Sequence, residues 1–591
     1  MQDYGYLANR IETEYTVTIG RDKKRADIVV FDKINTTAPY ILIEIKGKGL
    51  LDGKEQLKSY CNATGAPIGV WTNGDKISYY HRKDPNFFED LSYIPHADQK
   101  LSDILEERYK IADLIEKDKL VNERKSLKDL IIEMENEVLA NAGVDVFEEL
   151  FKLIFTKLYD EMESTRNKNR ILDFRNYGDT ESELKEKIQS LFEKAMDNWS
   201  GVFDDASKIA LTPSHLSVCV SSLQDVKLFN SNLDIVDEAF EYLMTKSSKG
   251  EKGQYFTPRY VIDMCVKMLN PTENDFLIDT ASGSCGFPVH GILHVWEQII
   301  EAEGLDKSHL FTAEEKSPRC IDYVREKVFA IDFDEKAVRV GRTLNLIAGD
   351  GQTNVLHLNT LDYERWNENT KNEEWIDKYN TGWKRLRKLR THKNADREFN
   401  FDVLLANPPF AGDIKESRLL AKYELAKDKK GKIKSKVSRE ILFIERNLDF
   451  LKPGGRMAVV LPQGIFNNAQ DKIIRNYIAE HCRILGVVGL HGNAFKPHTG
   501  TKTSVLFVQK WDDKLCPQVD DYPIFFATMQ EPSKDNSGDK IFVTDEIGKY
   551  IMDSHNHLIV KHDLFNHDGL TQDGISEAFI EFAKKENLSF F

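Results

Sequence analysis

Phe276-Leu277-Ile278-Asp279-Thr280-Ala281-Ser282-Gly283-Ser284-Cys285-Gly286-Phe287 runs from an apolar strand into an acid, then through small residues toward a helical stretch. In a parallel sheet covered on both faces by helices, such a loop lies at the carboxyl edge of a strand, where ligands bind. Gly283 and Gly286 permit close backbone approach and φ angles closed to other residues. The loop matches neither a Walker motif nor GxGxxG, and a strand-to-helix elbow also needs small residues for purely structural reasons. Outward from it, short strands at Val328–Ile331, Val403–Leu405, Met457–Leu461 and Ser504–Val508 alternate with helical stretches between about Gly250 and Trp511. That alternation predicts a doubly wound α/β domain.

Two further segments carry chemistry. Val328-Phe329-Ala330-Ile331-Asp332-Phe333-Asp334 ends in acids, and Asp332 at the strand tip stands where nucleoside-binding folds place the acid that pairs with ribose hydroxyls. Asp334 fits better as the N-cap of a helix starting near Glu335. In Phe401-Asp402-Val403-Leu404-Leu405-Ala406-Asn407-Pro408-Pro409-Phe410 an apolar strand runs straight into two prolines, which lock the loop and remove two backbone donors. The side-chain oxygen of Asn407 and the carbonyl of Pro408 can then take both hydrogens of an exocyclic amino group. Its lone pair is held toward an incoming methyl group, and Phe410 can stack on a base turned out of its helix.

The 591-residue chain exceeds what one hydrophobic core serves. Four parts are expected: residues 1–100, a small α/β domain; 101–246, a mainly helical connector; 247–512, the doubly wound domain; and 513–591, a mixed segment suited to docking a partner. In the first part strands are predicted at Glu14–Ile19, Asp27–Phe31, Tyr40–Lys46, Ile68–Trp71 and Ile77–Tyr80, with Asn73-Gly74 as a hairpin turn. In the second, Val146, Leu150, Leu153, Ile154 and Leu158 recur at helical spacing.

Hydrophobic content of 41% beside 30% charged residues, with no membrane-length apolar run and no secretory signal, predicts a cytoplasmic protein that does not enter membranes. Seven scattered cysteines without a CxxC pair point to reduced thiols rather than disulfides or zinc. A net charge of −15 is unfavourable for a nucleic-acid enzyme, although Lys384–Arg390 and Lys427–Lys432 are locally dense in positive charge. Such runs are compatible with solvated loops and with phosphate contacts.

The second half of the chain resembles the DNA adenine methyltransferases, specifically the modification subunits of type I restriction systems and the methylase part of their fused type II relatives. The resemblance spans roughly residues 120–585. It rests on Asn407–Phe410, Asp279–Phe287, Gly253–Arg259, Asn359–Asp362, Lys452–Gly455, Leu461–Phe466 and Ala494–Ser504. It implies transfer of a methyl group from S-adenosylmethionine to the 6-amino group of adenine in double-stranded DNA, with Asn407, Pro408, Pro409 and Phe410 as the catalytic loop. Tyr255, Phe256, Thr257 and Pro258 would border the cofactor, and Asp279, Ala281, Gly283, Gly286, Phe287 and Asp332 would bind it. Thr360 and Asp362 would lie near its adenine. Ser282-Gly283-Ser284-Cys285 departs from the Cys-Gly-Thr-Gly type of loop commoner in relatives, but keeps small residues. No target-recognition part follows the methylase motifs, so a separate specificity subunit in a hetero-oligomer is expected to supply it, unless the sequence stops short of that part.

The first hundred residues offer a second chemistry. Ile41-Leu42-Ile43-Glu44-Ile45-Lys46 puts Glu44 and Lys46 on one sheet face, with Asp27 on a neighbouring strand and Gln56 and Tyr60 on one helical face. Two carboxylates can share one Mg²⁺ while Lys46 manages the attacking water. With Gly69–Gly74 this segment, about residues 5–95, resembles the PD-(D/E)xK nucleases, notably the amino-terminal domain of type I restriction subunits. The resemblance implies Asp27, Glu44, Lys46 and Gln56 as catalytic residues and Asp27, Glu44 and Ile45 as the metal site. Relatives usually begin with a longer helix carrying a further acid, whereas only Met1 to Arg10 precede Ile11. No phosphate-binding loop occurs, so no ATP motor is expected. The reading is a bifunctional restriction-modification subunit. The alternatives are a methyltransferase whose nuclease-like domain serves binding or docking, and a non-catalytic scaffold, which would have no use for Asn407–Phe410. A glutamine methyltransferase also uses an Asn-Pro-Pro loop but has no use for the helical and nuclease-like parts.

Overall fold

The computed structural model describes residues 4–591 except 34, 85–86, 106–108, 121–126, 138–141, 200, 230–241, 244–255, 307–315, 348–353, 392–396, 411, 498 and 553–557. The chain forms two compact units rather than four parts. One comprises residues 1–199 and 203–231, the other 200–202 and 232–591.

The first unit begins with six strands in sequential order: β1 (Ile11–Ile19), β2 (Asp22–Phe31), β3 (Pro39–Ile45), β4 (Ile68–Thr72), β5 (Ile77–Asp84) and β6 (Phe87–Leu91). All neighbours are antiparallel except β3 and β4, which the helix Lys54–Thr64 joins. Strand β6, which the sequence reading missed, lies at the sheet edge with Phe87 and Asp90 exposed and no residue buried. The expected hairpin turn is present: Gly74 has φ +84°, and the Asn73 side-chain oxygen accepts the N–H groups of Asp75 and Lys76. Leu42, Leu57, Tyr60, Cys61 and Trp71 pack the helix onto one sheet face.

The helical segment belongs to the same unit because it is tied to the sheet. Arg82 is buried and pairs with Glu181 at 3.1 Å, and Gly178 leaves room for Leu101. Leu150, Leu153, Ile154 and Leu158 lie fully buried on the helix Val146–Arg166. Inside it, Lys157 and Glu161 form a wholly buried ion pair at 2.9 Å, and the second Glu161 oxygen accepts the N–H groups of Leu228 and Phe229.

The second unit is built on an eight-stranded sheet. In chain order the strands are β7 (Leu277–Asp279), β8 (Val328–Asp332), β9 (Val355–His357), β10 (Phe401–Ala406), β13 (Leu451–Pro462), β14 (Cys482–Gly489), β15 (Thr503–Lys510) and β16 (Phe525–Thr528). A two-stranded ribbon, β11 (Asp413–Ile414) and β12 (Val437–Ser438), stands apart. The spatial order is β16-β14-β15-β13-β10-β7-β8-β9, with β13 to β9 mutually parallel and β15 antiparallel between β13 and β14. From β7 the chain winds outward through β8 and β9, then returns to β10 on the other side. The carboxyl ends of β7 and β10 therefore flank the point where winding direction reverses, the ligand position in open α/β sheets.

Lys452–Gly455 sets the register of β13. Phe401 pairs with Leu451, but Val403 already pairs with Arg456, and a Cβ on Gly455 would meet the carbonyl oxygens of Lys452 and Phe401 at 2.9 Å. Residues 513–591 are not a separate part: Phe579 packs on Phe507 and Phe525, and the Asn270 amide donates to the Phe590 carbonyl at 2.8 Å. All seven cysteines are buried and unpaired with one another. Among the described residues no helix is long and apolar enough to cross a membrane.

Candidate functional site

A cleft opens at the reversal point. Its lining brings together Phe256, Thr257, Asp279, Ala281, Gly283, Gly286, Phe287 and Asn407, all named from the sequence. Arg259, Ile262, Ser282 and Ser284 also line it and were not singled out, although all but Ile262 lie inside the quoted motifs. Pro258 caps the helix Arg259–Leu269 and so aims Phe256 and Thr257 at the cleft. Tyr255 lies outside the described residues.

The small-residue loop is shaped by the two strand-tip acids. Asp279 is buried and accepts the Ala281 N–H at 3.0 Å, and burial drives its carboxyl well above the usual carboxylate range. Asp332 stands behind the loop, accepting the N–H groups of Gly283 and Asp334 at 2.8 Å each. Burial raises it to about 6 against the pull of those backbone donors. Gly283 takes φ +51°, and a Cβ there would come within 3.9 Å of the Phe256 ring. Cys285 takes φ +69°, the left-handed backbone that the glycine of the commoner loop would adopt freely. Asp334 caps its helix as expected, through Lys336 N–H at 2.8 Å.

Asn407 leaves the end of β10 and its amide nitrogen donates to the Thr257 hydroxyl at 2.9 Å, joining the catalytic-loop candidate to the Phe256–Pro258 segment. Pro408 is buried, Pro409 and Phe410 are partly exposed, and the Phe410 ring meets Phe495 edge-on at 6.3 Å. Thr360 and Asp362 do not reach the cleft lining. The Thr360 hydroxyl is committed to the Thr280 carbonyl at 2.6 Å, and Asp362 pairs with Arg418 at 2.7 Å. The first contact ties Thr360 to the start of the small-residue loop.

The donor set fits S-adenosylmethionine. Asp279 lines the cleft, Asp332 holds the loop from behind through the Gly283 N–H, and the buried Ser282 hydroxyl in the cleft wall has no hydrogen-bond partner.

In the first unit the structure gathers the second constellation. Glu44 is 2% exposed, and one of its oxygens is 2.7 Å from the Lys46 ammonium while the other is buried with no hydrogen-bond partner. Lys46 also reaches the Gln56 side-chain oxygen at 3.4 Å, and the Gln56 amide donates to the Tyr60 hydroxyl at 2.5 Å. Asp27 accepts the Ile45 N–H at 2.6 Å, so Ile45 enters through its backbone while its side chain is half exposed. Burial raises the Glu44 carboxyl, with Lys46 opposing it, and the Glu44 hydrogen bond raises the Lys46 ammonium. Gly53, with φ +90°, is required because any Cβ there would overlap the Lys46 side chain. An orphaned buried carboxylate oxygen beside a second carboxylate fits a divalent cation.

Residues 231–572 match the sequence profile of the N-6 DNA methylase family, more than half of the chain. The chain belongs to that family. Residues 1–95 of this family member match the type I restriction enzyme R protein N terminus. Among curated relatives, the type I restriction enzyme EcoEI methylase subunit of Escherichia coli is 24% identical over 49% of this chain and 48% of its own length. The StySPI methylase subunit of Salmonella potsdam is 24% identical over 56% of each chain. The type II restriction enzyme and methyltransferase RM.BcgI of Heyndrickxia coagulans is 21% identical over 72% of this chain and 62% of its own. The chain thus spans about half the length of the type I relatives it matches. A modification subunit of a type I restriction enzyme from Vibrio vulnificus aligns with a TM-score of 0.44 at 16% identity, covering 76% of this chain and 89% of that one.

Proposed function

We propose that the chain methylates the 6-amino group of adenine in DNA with S-adenosylmethionine, guided by a separate specificity subunit, and that its N-terminal sheet is a Mg²⁺-dependent nuclease. The observation that carries the first part is the Asn407–Thr257 hydrogen bond, made where both residues line the same cleft as Asp279, with the proline-locked loop following directly. Asp279, Ser282, Gly283, Phe287 and Phe256 hold the cofactor, with Asp332 reaching it past Gly283. When bound, S-adenosylmethionine supplies an electrophilic methyl group on a positively charged sulfur.

Asn407 accepts one amino hydrogen of the target base through its side-chain oxygen, and the Pro408 carbonyl accepts the other. With both hydrogens held, the nitrogen lone pair points at the methyl carbon. The cofactor would supply the methyl group to this nitrogen, its sulfur keeping the bonding electron pair. The nitrogen's extra proton then leaves to solvent along the hydrogen bond to Asn407 or Pro408. Phe410, whose ring meets Phe495 edge-on, covers one face of the flipped base and excludes water.

In the N-terminal unit Glu44 and Asp27 would hold the cation, which supplies charge to the scissile phosphate. Lys46, kept protonated by Glu44 and steered by Gln56, orients the water. ATP is not required.

Methyl transfer from tritiated cofactor to DNA, with the specificity subunit present, tests the first activity. Asn407→Ala is expected to lower turnover on the order of 10²- to 10³-fold, the usual loss for one transition-state hydrogen bond, and to leave cofactor affinity largely intact. Equal loss of binding and turnover would refute the assigned role.

A further inference from the structure

The methylase unit carries two stretches of exposed positive charge that the proposed chemistry does not use, and the fold sets them at opposite edges of one sheet. Lys384, Arg387 and Lys388 end the helix Glu373–Lys388, exposed and without ion pairs among the described residues. Leu389 accepts from the Asn400 amide, which fixes this stretch at the amino end of β10. Asn407 lies at the other end of that six-residue strand, about 20 Å away at ~3.3 Å per residue.

The second stretch grows from the catalytic-loop candidate itself. Between Asp413 and Arg439 there are ten lysines and arginines against four acids, in a chain of net charge −15. The segment leaves at Gly412, two residues after Phe410, and returns at Arg439, whose N–H donates to the Gly412 carbonyl at 3.3 Å. Strands β11 and β12 pair Asp413 with Ser438 and Ile414 with Val437, closing its root. Two residues of chain reach at most about 7 Å, so this root stays next to Phe410.

The segment is a packed arm. Leu419, Leu420, Tyr423, Ala426 and Val437 are buried against Leu361, Leu442 and Phe443. The Tyr423 hydroxyl donates to the Leu361 carbonyl at 2.7 Å, and Glu445 accepts the N–H groups of Glu424 and Leu425. Its tip is a tight turn: Asp428 accepts the N–H groups of Lys430 and Lys432, and Lys427 bridges to Ile433. Arg418, Lys422 and Lys436 are held in ion pairs, and Lys434 donates to the Leu425 carbonyl. Lys415, Lys427, Lys429, Lys430 and Lys432 make no ion pair among the described residues, and all but the half-buried Lys427 are exposed. A rigid support that leaves five ammonium groups unneutralised beside the mouth of the site fits a partner with closely spaced anions.

We infer that this lysine arm binds the phosphates of the DNA duplex flanking the target base, and that the equally basic Lys384–Lys388 stretch does not. The inference rests on the DNA reading above, and assigns the anchoring of the duplex to particular residues. Phosphate contacts of this kind position the duplex without reading its sequence.

The test is fluorescence anisotropy of the full chain with a labelled duplex of arbitrary sequence across a salt series. Arm variant Lys429→Gln/Lys430→Gln/Lys432→Gln is compared with control variant Lys384→Gln/Arg387→Gln/Lys388→Gln. Each removes three charges, and S-adenosylmethionine affinity confirms that both fold. The arm variant is expected to flatten the slope of log K against log salt by about 2.7, close to 0.9 for each lost phosphate contact, and to raise Kd at 0.1 M salt on the order of tenfold or more. The control is expected to match the wild type. An unchanged slope in the arm variant, or equal flattening in both, would overturn the inference while leaving methylation of DNA by the wild type intact. A wild-type chain that neither binds duplex nor methylates it with its specificity subunit would instead overturn the underlying reading.

Discussion

Cofactor affinity is expected to fall as pH is lowered from 7 to 5, because the role proposed for Asp332 needs its carboxylate. Its carboxyl sits near 6 in the ligand-free protein. Each of its oxygens already accepts one backbone N–H, from Gly283 and from Asp334, and each retains a lone pair that a ribose hydroxyl can use. Protonation occupies one of those positions and removes the negative charge. With a value near 6, about 90% of the groups are ionised at pH 7 and about 9% at pH 5, so the apparent affinity drops about tenfold, or ~1.4 kcal/mol. Asp279, also raised by burial, adds in the same direction.

The ligand-free protein responds with the opposite sign. Since the folded-state value lies above the ordinary 3.8, this carboxyl's contribution to stability is complete below pH 3.8 and is lost as pH rises through 6. Isothermal titration of S-adenosylmethionine at half-unit steps from pH 5 to 8, beside melting curves, measures both trends. Asp332→Asn should bind weakly at pH 7, near the level of the wild type at pH 5, with a flatter profile. A wild-type affinity that does not change between pH 5 and 7, or an Asp332→Asn profile parallel to it, would refute the reasoning.

Glu44→Ala and Lys46→Ala should each stop Mg²⁺-dependent cleavage of unmethylated DNA by the complex with its specificity subunit, without lowering methyl transfer; persistent cleavage in Glu44→Ala, or a requirement for ATP, would contradict the nuclease assignment, and wild-type DNA left uncut under every metal condition would favour a docking role. Glu161→Ala should destabilise the first unit by about 3–5 kcal/mol, because it strands the buried Lys157 ammonium and the N–H groups of Leu228 and Phe229; a chemical-denaturation shift under 1 kcal/mol would show that water satisfies these groups. Cys285→Gly relieves a left-handed backbone worth about 1–2 kcal/mol and gives up the burial of one thiol, so its melting temperature should stay close to wild type, whereas Cys285→Val should lower it clearly; equal melting of the two variants would contradict the strain argument.

The sequence by itself determined most of the methylase sheet and its ligand edge. Apolar runs such as Val403–Leu405 and Val328–Ile331 are buried on both faces, a local property that composition reveals, and the proline pair after Asn407 limits its own loop wherever it is placed. The acids at strand tips and the Glu44–Lys46 alternation were legible for the same reason: a period of two fixes which side chains share a face. Short strands such as β9, β16 and β6 escaped because few residues carry their pattern and neighbours supply most of their pairing. Tertiary structure alone decided that Thr360 meets Thr280 and that Asp362 meets Arg418. It also decided that residues 513–591 complete the methylase core through Phe579 and Phe590. Likewise, two similarly basic runs came to lie at opposite ends of β10. In each case the outcome depends on partners more than fifty residues away or on which edge of the sheet the chain has reached, and no local periodicity carries that information.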